Sequence, residues 1–319
     1  MSKLKALSKQ FDEQIKELPL KGEPAQLYEP MSYIMELGGK RIRPAMVIAA
    51  YHLFKEKEDE SVRKLALAVE MFHNFSLMHD DIMDGADLRR GQKSVHERWD
   101  TSTAILSGDL LLIKVYEMLA SLDNTQIFST FNTMATHLCE GQMMDMQFEE
   151  QATVEVEAYL EMIEKKTAVL LAFALESAGI LGGADSEHQK KLYELGIHLG
   201  LSFQLIDDYL DAFGDAAKTG KKIGGDILEQ KKTYMWNSMM LHLDENEQQQ
   251  IFLSRNELED DEYISYVKEQ MIKTEAPVAT RSLATYHHNE ALEIFNEIKH
   301  LGDSSLLDEI LHLLSSRSY

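Results

Sequence analysis

The segment SVRKLALAVEMFHNFSLMH, residues 61–79, decides the fold class of this chain. Its apolar side chains Leu65, Val69 and Phe72 recur at intervals of four and three residues, the spacing of one helix face. A composition that favours helices extends on both sides of this segment. Residues 45–276 contain no proline and are rich in helix-favouring Leu, Met, Glu, Lys and Gln. No run is typical of a strand. The sequence therefore predicts an all-α protein.

Glycine-rich breaks punctuate the helical pattern without forming a long linker. They lie at residues 38–39, 85–91, 182–183 and 214–225. Because no Pro/Ser-rich linker divides the chain, we expect one domain over residues 1–319, built from roughly ten or more helices of ordinary length.

The charge balance is strongly acidic, with 32 Lys+Arg against 54 Asp+Glu and a formal net charge of −22. This excess disfavours non-specific binding to nucleic acid or anionic lipid. The charged N-terminus lacks the apolar core of a signal peptide, and the apolar stretches are too short to cross a bilayer. We expect a cytoplasmic protein that is not an integral membrane protein and binds no nucleic acid.

Two aspartate clusters stand out in the sequence. The first comprises Asp80, Asp81 and Asp84, and the second comprises Asp207, Asp208 and Asp211. Their spacings of three and four residues place each set, with Gln204 beside the second, on one face of a helix. An isolated acidic pair is usually hydrated surface, but both clusters end apolar helical stretches, where unneutralised carboxylates are costly. Oxygen ligands without a nearby thiolate favour magnesium, so we predict a magnesium site.

Cationic residues accompany both clusters despite the acidic balance. They are Lys40, Arg41, Arg43, Arg89, Arg90, Lys165, Lys166, Lys221, Lys222, Lys231 and Lys232. Arg and Lys bind phosphate oxygens, and magnesium binds phosphate as well. The clusters and cations together predict a site for a diphosphate and magnesium, although no P-loop sequence is present.

The ordered motifs resemble those of the trans-isoprenyl diphosphate synthases, or polyprenyl synthetases, across nearly the whole chain. The motifs are GGKRIRP at 38–44, DDIMD at 80–84, LRRG at 88–91, KT at 166–167, FQLIDDYLD at 203–211 and GK at 220–221. The resemblance implies a single large helical bundle of the isoprenoid synthase type, with a deep central cavity, in a homodimer. It also implies that isopentenyl diphosphate condenses with dimethylallyl, geranyl or farnesyl diphosphate by magnesium-assisted ionisation, condensation and elimination.

The resemblance further implies a role for each motif residue. Three magnesium ions would be held by Asp80, Asp84 and Asp207, with Asp81, Asp208 and Asp211 in support. The allylic diphosphate would meet Arg89, Lys166, Thr167, Gln204, Lys221 and Lys231. Isopentenyl diphosphate would meet Lys40, Arg43, His73 and Arg90. The residues assigned to catalysis are Asp80, Asp84, Asp207, Lys166 and Lys221. His73 precedes Asp80 by seven residues, close to the same helix face, which favours a functional over a structural interpretation of this histidine.

Product length depends on a different set of residues. In this family the residues four and five before the first aspartate often form the floor of the elongation pocket, and here they are Ser76 and Phe75. Without a two-residue insertion in the first cluster, the pattern resembles geranylgeranyl synthases of archaeal type. On an ideal helix, at about 100° per residue, Phe75 lies about 140° from Asp80, and Phe72 could equally form a deeper block. We expect geranylgeranyl diphosphate, with farnesyl diphosphate as the alternative.

Three other functions fit the sequence less well. A terpene cyclase also ionises allylic diphosphates, but it would not need the Lys40 and Arg43 pocket for a second diphosphate. A non-catalytic subunit of a heteromeric synthase tends to lose one aspartate cluster, and both are intact here. A helical calcium binder would carry the spaced acidic loop of an EF-hand, which is absent.

Overall fold

The computed structural model describes residues 2–214 and 223–316, and helices dominate these ranges. In chain order the helices are α1 (Lys3–Glu17), α2 (Ala25–Glu36), α3 (Ile42–Tyr51), α4 (Glu60–Met83), α5 (Val95–Arg98), α6 (Thr101–Ala120), α7 (Thr125–Glu149), α8 (Val156–Ile163), a π-helical turn (Glu164–Ala168), α9 (Val169–Gly182), α10 (Ser186–Phe213), α11 (Gly225–Leu228), α12 (Tyr234–His242), α13 (Glu245–Glu257), α14 (Asp260–Lys273), α15 (Ala276–Ile298), a 3₁₀ turn (Lys299–Leu301) and α16 (Ser305–Ser316). The prediction of an all-α protein is confirmed.

The expectation that no segment forms a strand is wrong at one short hairpin. Strand β1 (Leu88–Arg89) pairs antiparallel with β2 (Gln92–Lys93). The two residues between them, Arg90 and Gly91, have φ angles of 54° and 74°. Positive φ at both central residues is the geometry of the tight turn that joins hairpin strands. The strands are too short to produce an alternating sequence pattern, so periodicity gave no signal for them.

Helix α4 carries the first aspartate cluster at its C-terminal end. The Asp59 carboxylate accepts a 3.0 Å hydrogen bond from the amide of Val62 and so caps the helix start. The predicted apolar face is buried, with Leu65 and Phe72 almost inaccessible, and the helix packs against α3 and α6. The C-cap is Asp84 itself, so the cluster occupies the last turn of the helix.

The described chain divides into two compact units. Unit 1 comprises residues 2–132, 173–193 and 296–312, and unit 2 comprises residues 133–172, 194–214, 223–295 and 313–316. Unit 1 contains the first aspartate cluster, and unit 2 contains the second. That residues 1–319 form one domain remains a prediction.

The core of unit 1 is organised around α3, where every residue from Pro44 to Tyr51 is buried. Helices α1 and α4 pack against α3. Because α3 begins directly after the GGKRIRP glycines, its burial fixes the basic loop at the edge of this core. The loop therefore has a rigid support.

The core of unit 2 forms two apolar clusters. One gathers Tyr159, Ile163, Leu205 and Ile206, and the other surrounds Trp236. Leu205 and Ile206 directly precede the second aspartate cluster on α10, so the same packing that buries them fixes the position of the aspartates. No helix within the described ranges has the length and apolar character needed to cross a membrane.

Candidate active site

In unit 1, Arg89 of the hairpin is tied back onto the first aspartate cluster. Its Nε donates a 2.8 Å hydrogen bond to Asp81 Oδ1, and its Nη2 also contacts that oxygen. The same Nη2 lies 3.8 Å from Asp80 Oδ2. The predicted association of Arg89 with this cluster is thus present in the geometry of unit 1.

The second carboxylate oxygen of Asp81 is buried without a hydrogen-bond partner. Burial raises the pKa of Asp81, since desolvation outweighs the opposing effect of Arg89. A buried anionic oxygen with unused acceptor capacity suits a cation, and carboxylate oxygens are the donors that magnesium prefers. Within residues 2–214 and 223–316, no group of three His, Cys, Asp or Glu side chains is arranged to hold a metal ion by itself.

Arg43 and His73, which the resemblance assigns to the same substrate, meet in unit 1. Arg43 Nη1 lies 3.1 Å from His73 Nε2. Desolvation, reinforced by the charges of Arg43 and Arg90, lowers the pKa of His73 well below its ordinary value. Because a guanidinium only donates, the neutral imidazole accepts through Nε2 and carries its proton on Nδ1.

Arg90 joins the same region from the hairpin turn. Its Nη1 contacts the carbonyl oxygen of Gly38, and a Cβ atom on Gly39 would lie only 3.2 Å from the Arg90 Cζ. The glycine pair therefore allows the guanidinium to lie against the loop backbone. Lys40 is exposed on this loop. Arg43, His73 and Arg90 thus border one cationic region of unit 1, and Lys40 lies on the adjoining loop.

Arg41 behaves differently from its basic neighbours. Its side chain is 1% exposed and forms an ion pair with Glu70, whose side chain is 4% exposed. Arg41 is therefore part of the core, and the basic loop offers Lys40 and Arg43 rather than three equivalent cations. The sequence could not distinguish the three, because the partner Glu70 is distant in the chain.

The proposed product-length residues also lie in unit 1. Phe72 is buried, and its ring packs at 5.1 Å against that of Phe131. Phe75 is only partly buried, with its ring 4.8 Å from the ring of His79 and 5.5 Å from that of Phe72. The partly buried Ser76 donates a hydrogen bond to the His73 carbonyl. Phe75 and Ser76 are thus the more accessible pair, and Phe72 lies behind Phe75.

In unit 2, a hydrogen-bonded chain runs through the second aspartate cluster. Thr167 Oγ1 donates to Gln204 Oε1 at 3.2 Å, and Gln204 Nε2 donates to Asp208 Oδ1 at 2.9 Å. The Tyr159 hydroxyl donates to the other Asp208 oxygen. Burial raises the pKa of Asp208 to about 7. Both oxygens of Asp208 thus accept from protein donors, and Gln204 links Asp208 to Thr167. Its half-buried neighbour Asp207 begins the cluster.

Lys166 lies in the π-helical turn that connects α8 and α9. Its Nζ donates a 2.6 Å hydrogen bond to Asp145 of α7. A side chain on Gly141, one turn earlier in α7, would overlap the backbone of Lys165 and Lys166. A π-helical turn widens the helix locally and is often found at functional sites. The glycine and the wide turn together bring Lys166 to Asp145.

The third member of the second cluster, Asp211, is bonded to the short helix α11. Asp211 Oδ2 accepts a 2.9 Å hydrogen bond from the amide of Asp226. Burial raises the pKa of Asp226 to about 8. Lys231 lies 3.3 Å from Glu229 and 3.9 Å from Asp226. Lys221, which the sequence also assigned to the site, lies outside the described residues.

Three site neighbours were missed by the sequence interpretation: Asp145, Tyr159 and Asp226. Each bonds to a predicted residue, but none belongs to a cluster or a basic run. Tyr159 is two helical turns before Lys166, a spacing that could have suggested a shared face, although the π-helical turn alters the expected register.

Known proteins resemble this chain in both sequence and fold. The sequence profile of the family described as Polyprenyl synthetase matches residues 24–271. The geranylgeranyl diphosphate synthase of Methanosarcina mazei is 40% identical over 238 residues, which cover 73% of each chain. A crystal structure of a geranylgeranyl pyrophosphate synthase superimposes with a TM-score of 0.89 at 36% identity, covering 100% of this chain and 99% of that one. A polyprenyl synthase from Caulobacter crescentus CB15, solved with calcium and isoprenyl diphosphate, gives 0.85 at 27% identity, covering 99% and 97%.

Proposed function

Because this chain belongs to the polyprenyl synthetase family, it is a trans-prenyltransferase of the short-chain type, and we propose that its product is geranylgeranyl diphosphate. Its substrates would be isopentenyl diphosphate and an allylic diphosphate, namely dimethylallyl, geranyl or farnesyl diphosphate. Similarity to the geranylgeranyl diphosphate synthase of Methanosarcina mazei supports this product.

The Arg43–His73 pair beside Arg90 is the observation that supports a condensation of two diphosphates. These groups create a positive region that suits a diphosphate, in addition to the site at the aspartates. Two diphosphate sites are what a condensation of two isoprenoid diphosphates requires. A cyclase, which takes one diphosphate, has no use for the second.

Divalent metal acts with the diphosphate substrates in this family, and the residues present fit it. We propose that Asp80, Asp84 and Asp207 hold three magnesium ions. Asp81, Asp208 and Asp211 would support them from the positions described above. Bound with the diphosphate, magnesium supplies positive charge that stabilises the leaving group.

The chain's own cations contribute to the same reaction. Lys166, Lys231 and Arg89 would hold the allylic diphosphate and favour the charge that develops as it departs. Thr167 and Gln204, linked by a hydrogen bond, would orient it. Lys221, which the resemblance assigns to the same substrate, completes the proposed set of allylic diphosphate ligands. Asp145 and Asp81 fix Lys166 and Arg89 and so limit the reorganisation that binding requires.

The proposed reaction joins the two substrates by ionisation, condensation and elimination. The allylic carbon–oxygen bond breaks, and the diphosphate leaves with the electron pair. The double bond of isopentenyl diphosphate, held by Lys40, Arg43, His73 and Arg90, attacks the allylic cation and forms the new carbon–carbon bond. A proton is then lost to the released diphosphate, which restores a double bond in the product.

We also propose a homodimer. Ile105, Leu106 and Ile113 lie on one side of α6 and are between about 40% and 60% exposed. Exposed apolar side chains at helical spacing are typical of an interface. The cytoplasmic location remains a prediction from the sequence.

Incubating the pure protein with magnesium, isopentenyl diphosphate and each allylic primer tests the activity. We expect elongation that stops when the metal is chelated, and a loss of at least about a hundredfold in kcat for Asp80→Asn and Asp207→Asn. Asp261→Asn, at an exposed aspartate of unit 2, is the matched control. Farnesyl diphosphate as the end product would support the alternative synthase, a cyclised hydrocarbon would support a cyclase, and no elongation would support a non-catalytic subunit.

A further inference from the structure

We propose that the buried Arg41–Glu70 ion pair positions the side chains that bind isopentenyl diphosphate. This inference rests on the proposed function, because it assigns Arg43 and His73 to that substrate. Arg41 and Glu70 would be positioning residues, because their side chains are buried and paired with each other.

Arg41 is held by three directional hydrogen bonds. Its Nη1 donates to Glu70 Oε1 at 2.6 Å, its Nε to Asp12 Oδ1 at 2.9 Å, and its Nη2 to the Met35 carbonyl at 2.8 Å. These contacts come from α4, α1 and the end of α2. A guanidinium presents its donors in a rigid fork, so three acceptors in three directions define the position of Arg41 closely.

The ion pair spans the same two elements as the Arg43–His73 contact. Arg41 precedes Arg43 by two residues at the start of α3, and Glu70 precedes His73 by three residues on α4. A shift of Arg41 relative to Glu70 would therefore move Arg43 relative to His73, whose 3.1 Å contact has little tolerance. The ion pair sets the distance between the loop and α4.

The backbone at Arg41 gives a second reason for this role. Arg41 has a φ of 50°, an uncommon conformation for a residue with a side chain, and it is the N-cap of α3. Its carbonyl accepts the first helical hydrogen bond from the amide of Ala45. The side-chain contacts stabilise this backbone conformation. They therefore also fix the direction of the chain at the preceding residue, Lys40. Both loop cations thus depend on Arg41.

Steady-state kinetics of Glu70→Gln and Arg41→Lys test the proposal. Glutamine keeps the shape of Glu70 without its charge, and lysine keeps the charge of Arg41 without the fork. We expect the KM for isopentenyl diphosphate to rise roughly tenfold or more, because small displacements of binding groups have large effects. The KM for the allylic substrate should change less than about twofold, since Arg89, its proposed ligand in the same unit, is held by Asp81 rather than by Arg41 or Glu70. Glu58→Gln, which removes a partner of Arg63 in the same unit, is the control.

The outcomes separate this inference from the proposed function. Absence of elongation by the unmodified protein would contradict the proposed function itself. An active protein whose variants change both KM values equally, or neither, would overturn the positioning role. If Glu70→Gln does not fold, as thermal unfolding will show, Asp12→Asn replaces it, because Asp12 is half-exposed. That variant should raise the same KM alone, by a smaller factor, and an unchanged KM would also overturn the proposal.

Discussion

The hydroxyl of Tyr159 donates a hydrogen bond to the buried carboxylate of Asp208. Gln204 donates to the other oxygen, so both oxygens of Asp208 have protein partners. The corresponding second residue of the first cluster, Asp81, has one oxygen bound to Arg89 and one buried without a partner. The two clusters share a sequence pattern but differ in how the middle carboxylate is satisfied.

Replacing Tyr159 by Phe should destabilise the protein by about 1–3 kcal/mol, because it leaves a buried carboxylate oxygen without its donor. The kcat should fall as well, since Gln204 is positioned through Asp208. Thermal unfolding and steady-state rates measure both effects, and Tyr286→Phe, at an exposed tyrosine of unit 2, is the control. Equal unfolding temperatures for the two variants would argue against this role of Tyr159.

Replacing Arg43 by Ala should weaken binding of isopentenyl diphosphate. Hydrogen bonds to charged groups are worth about 1.5–3 kcal/mol, so we expect the KM for this substrate to rise roughly 10- to 150-fold. The KM for the allylic substrate should change little. Initial rates with each substrate varied in turn provide the measurement, with Arg63→Ala on the same unit as control. An equal rise in both KM values would contradict the assignment of Arg43 to one substrate.

Most of the fold was predictable from the sequence, because the helical periodicity and the lack of proline over residues 45–276 left few alternatives. The hairpin at Leu88–Lys93 was not, since strands of two residues carry no periodic signal. Its turn depends on Arg90 adopting a positive φ, which residue type alone does not predict. The fold followed from long repeated patterns, and the exception is a short irregular segment.

The candidate site was predictable to the extent that its residues form local motifs. Charge and spacing identified both aspartate clusters. The same reasoning treated Arg41 as a phosphate ligand candidate, because the sequence does not reveal that Glu70 reaches it in the core. Asp145 and Tyr159 were missed for the same reason: their partners, Lys166 and Asp208, are brought close only by packing.

Product length provides a third prediction. Replacing the partly buried Phe75 by Ala should extend the product by at least one isoprene unit, because it removes a ring from the accessible side of α4. Replacing Phe72 by Ala should instead cost about 3–5 kcal/mol of stability, since its ring is buried against Phe131. Mass spectrometry of the dephosphorylated products and thermal unfolding separate the two effects. A longer product only from Phe72→Ala would assign the stop to Phe72.

The His198–His287 pair of unit 2 should make stability depend on pH. The two Nδ1 atoms are 2.9 Å apart, and desolvation together with His198 lowers the pKa of His287 from 6.5 to about 4. The unfolded chain therefore binds a proton below pH 6.5 that the folded chain binds only near pH 4. Stability is highest above this window and falls as the pH decreases through it, by about 1–2 kcal/mol for a half-buried ring.

Unfolding temperatures measured between pH 4 and 7.5 check this dependence. The curve for His287→Gln should be flatter than that of the unmodified protein, because glutamine keeps a polar side chain but does not titrate. His300→Gln, at an exposed histidine, should leave the curve unchanged. Parallel curves for all three proteins would show that the pair does not control stability.

Product analysis with dimethylallyl diphosphate, excess isopentenyl diphosphate and magnesium tests the central claim most directly. We predict that geranylgeranyl diphosphate accumulates as the end product, with one diphosphate released for each isopentenyl unit consumed. Failure to form any carbon–carbon bond from these substrates, with magnesium present and the protein folded, would contradict it.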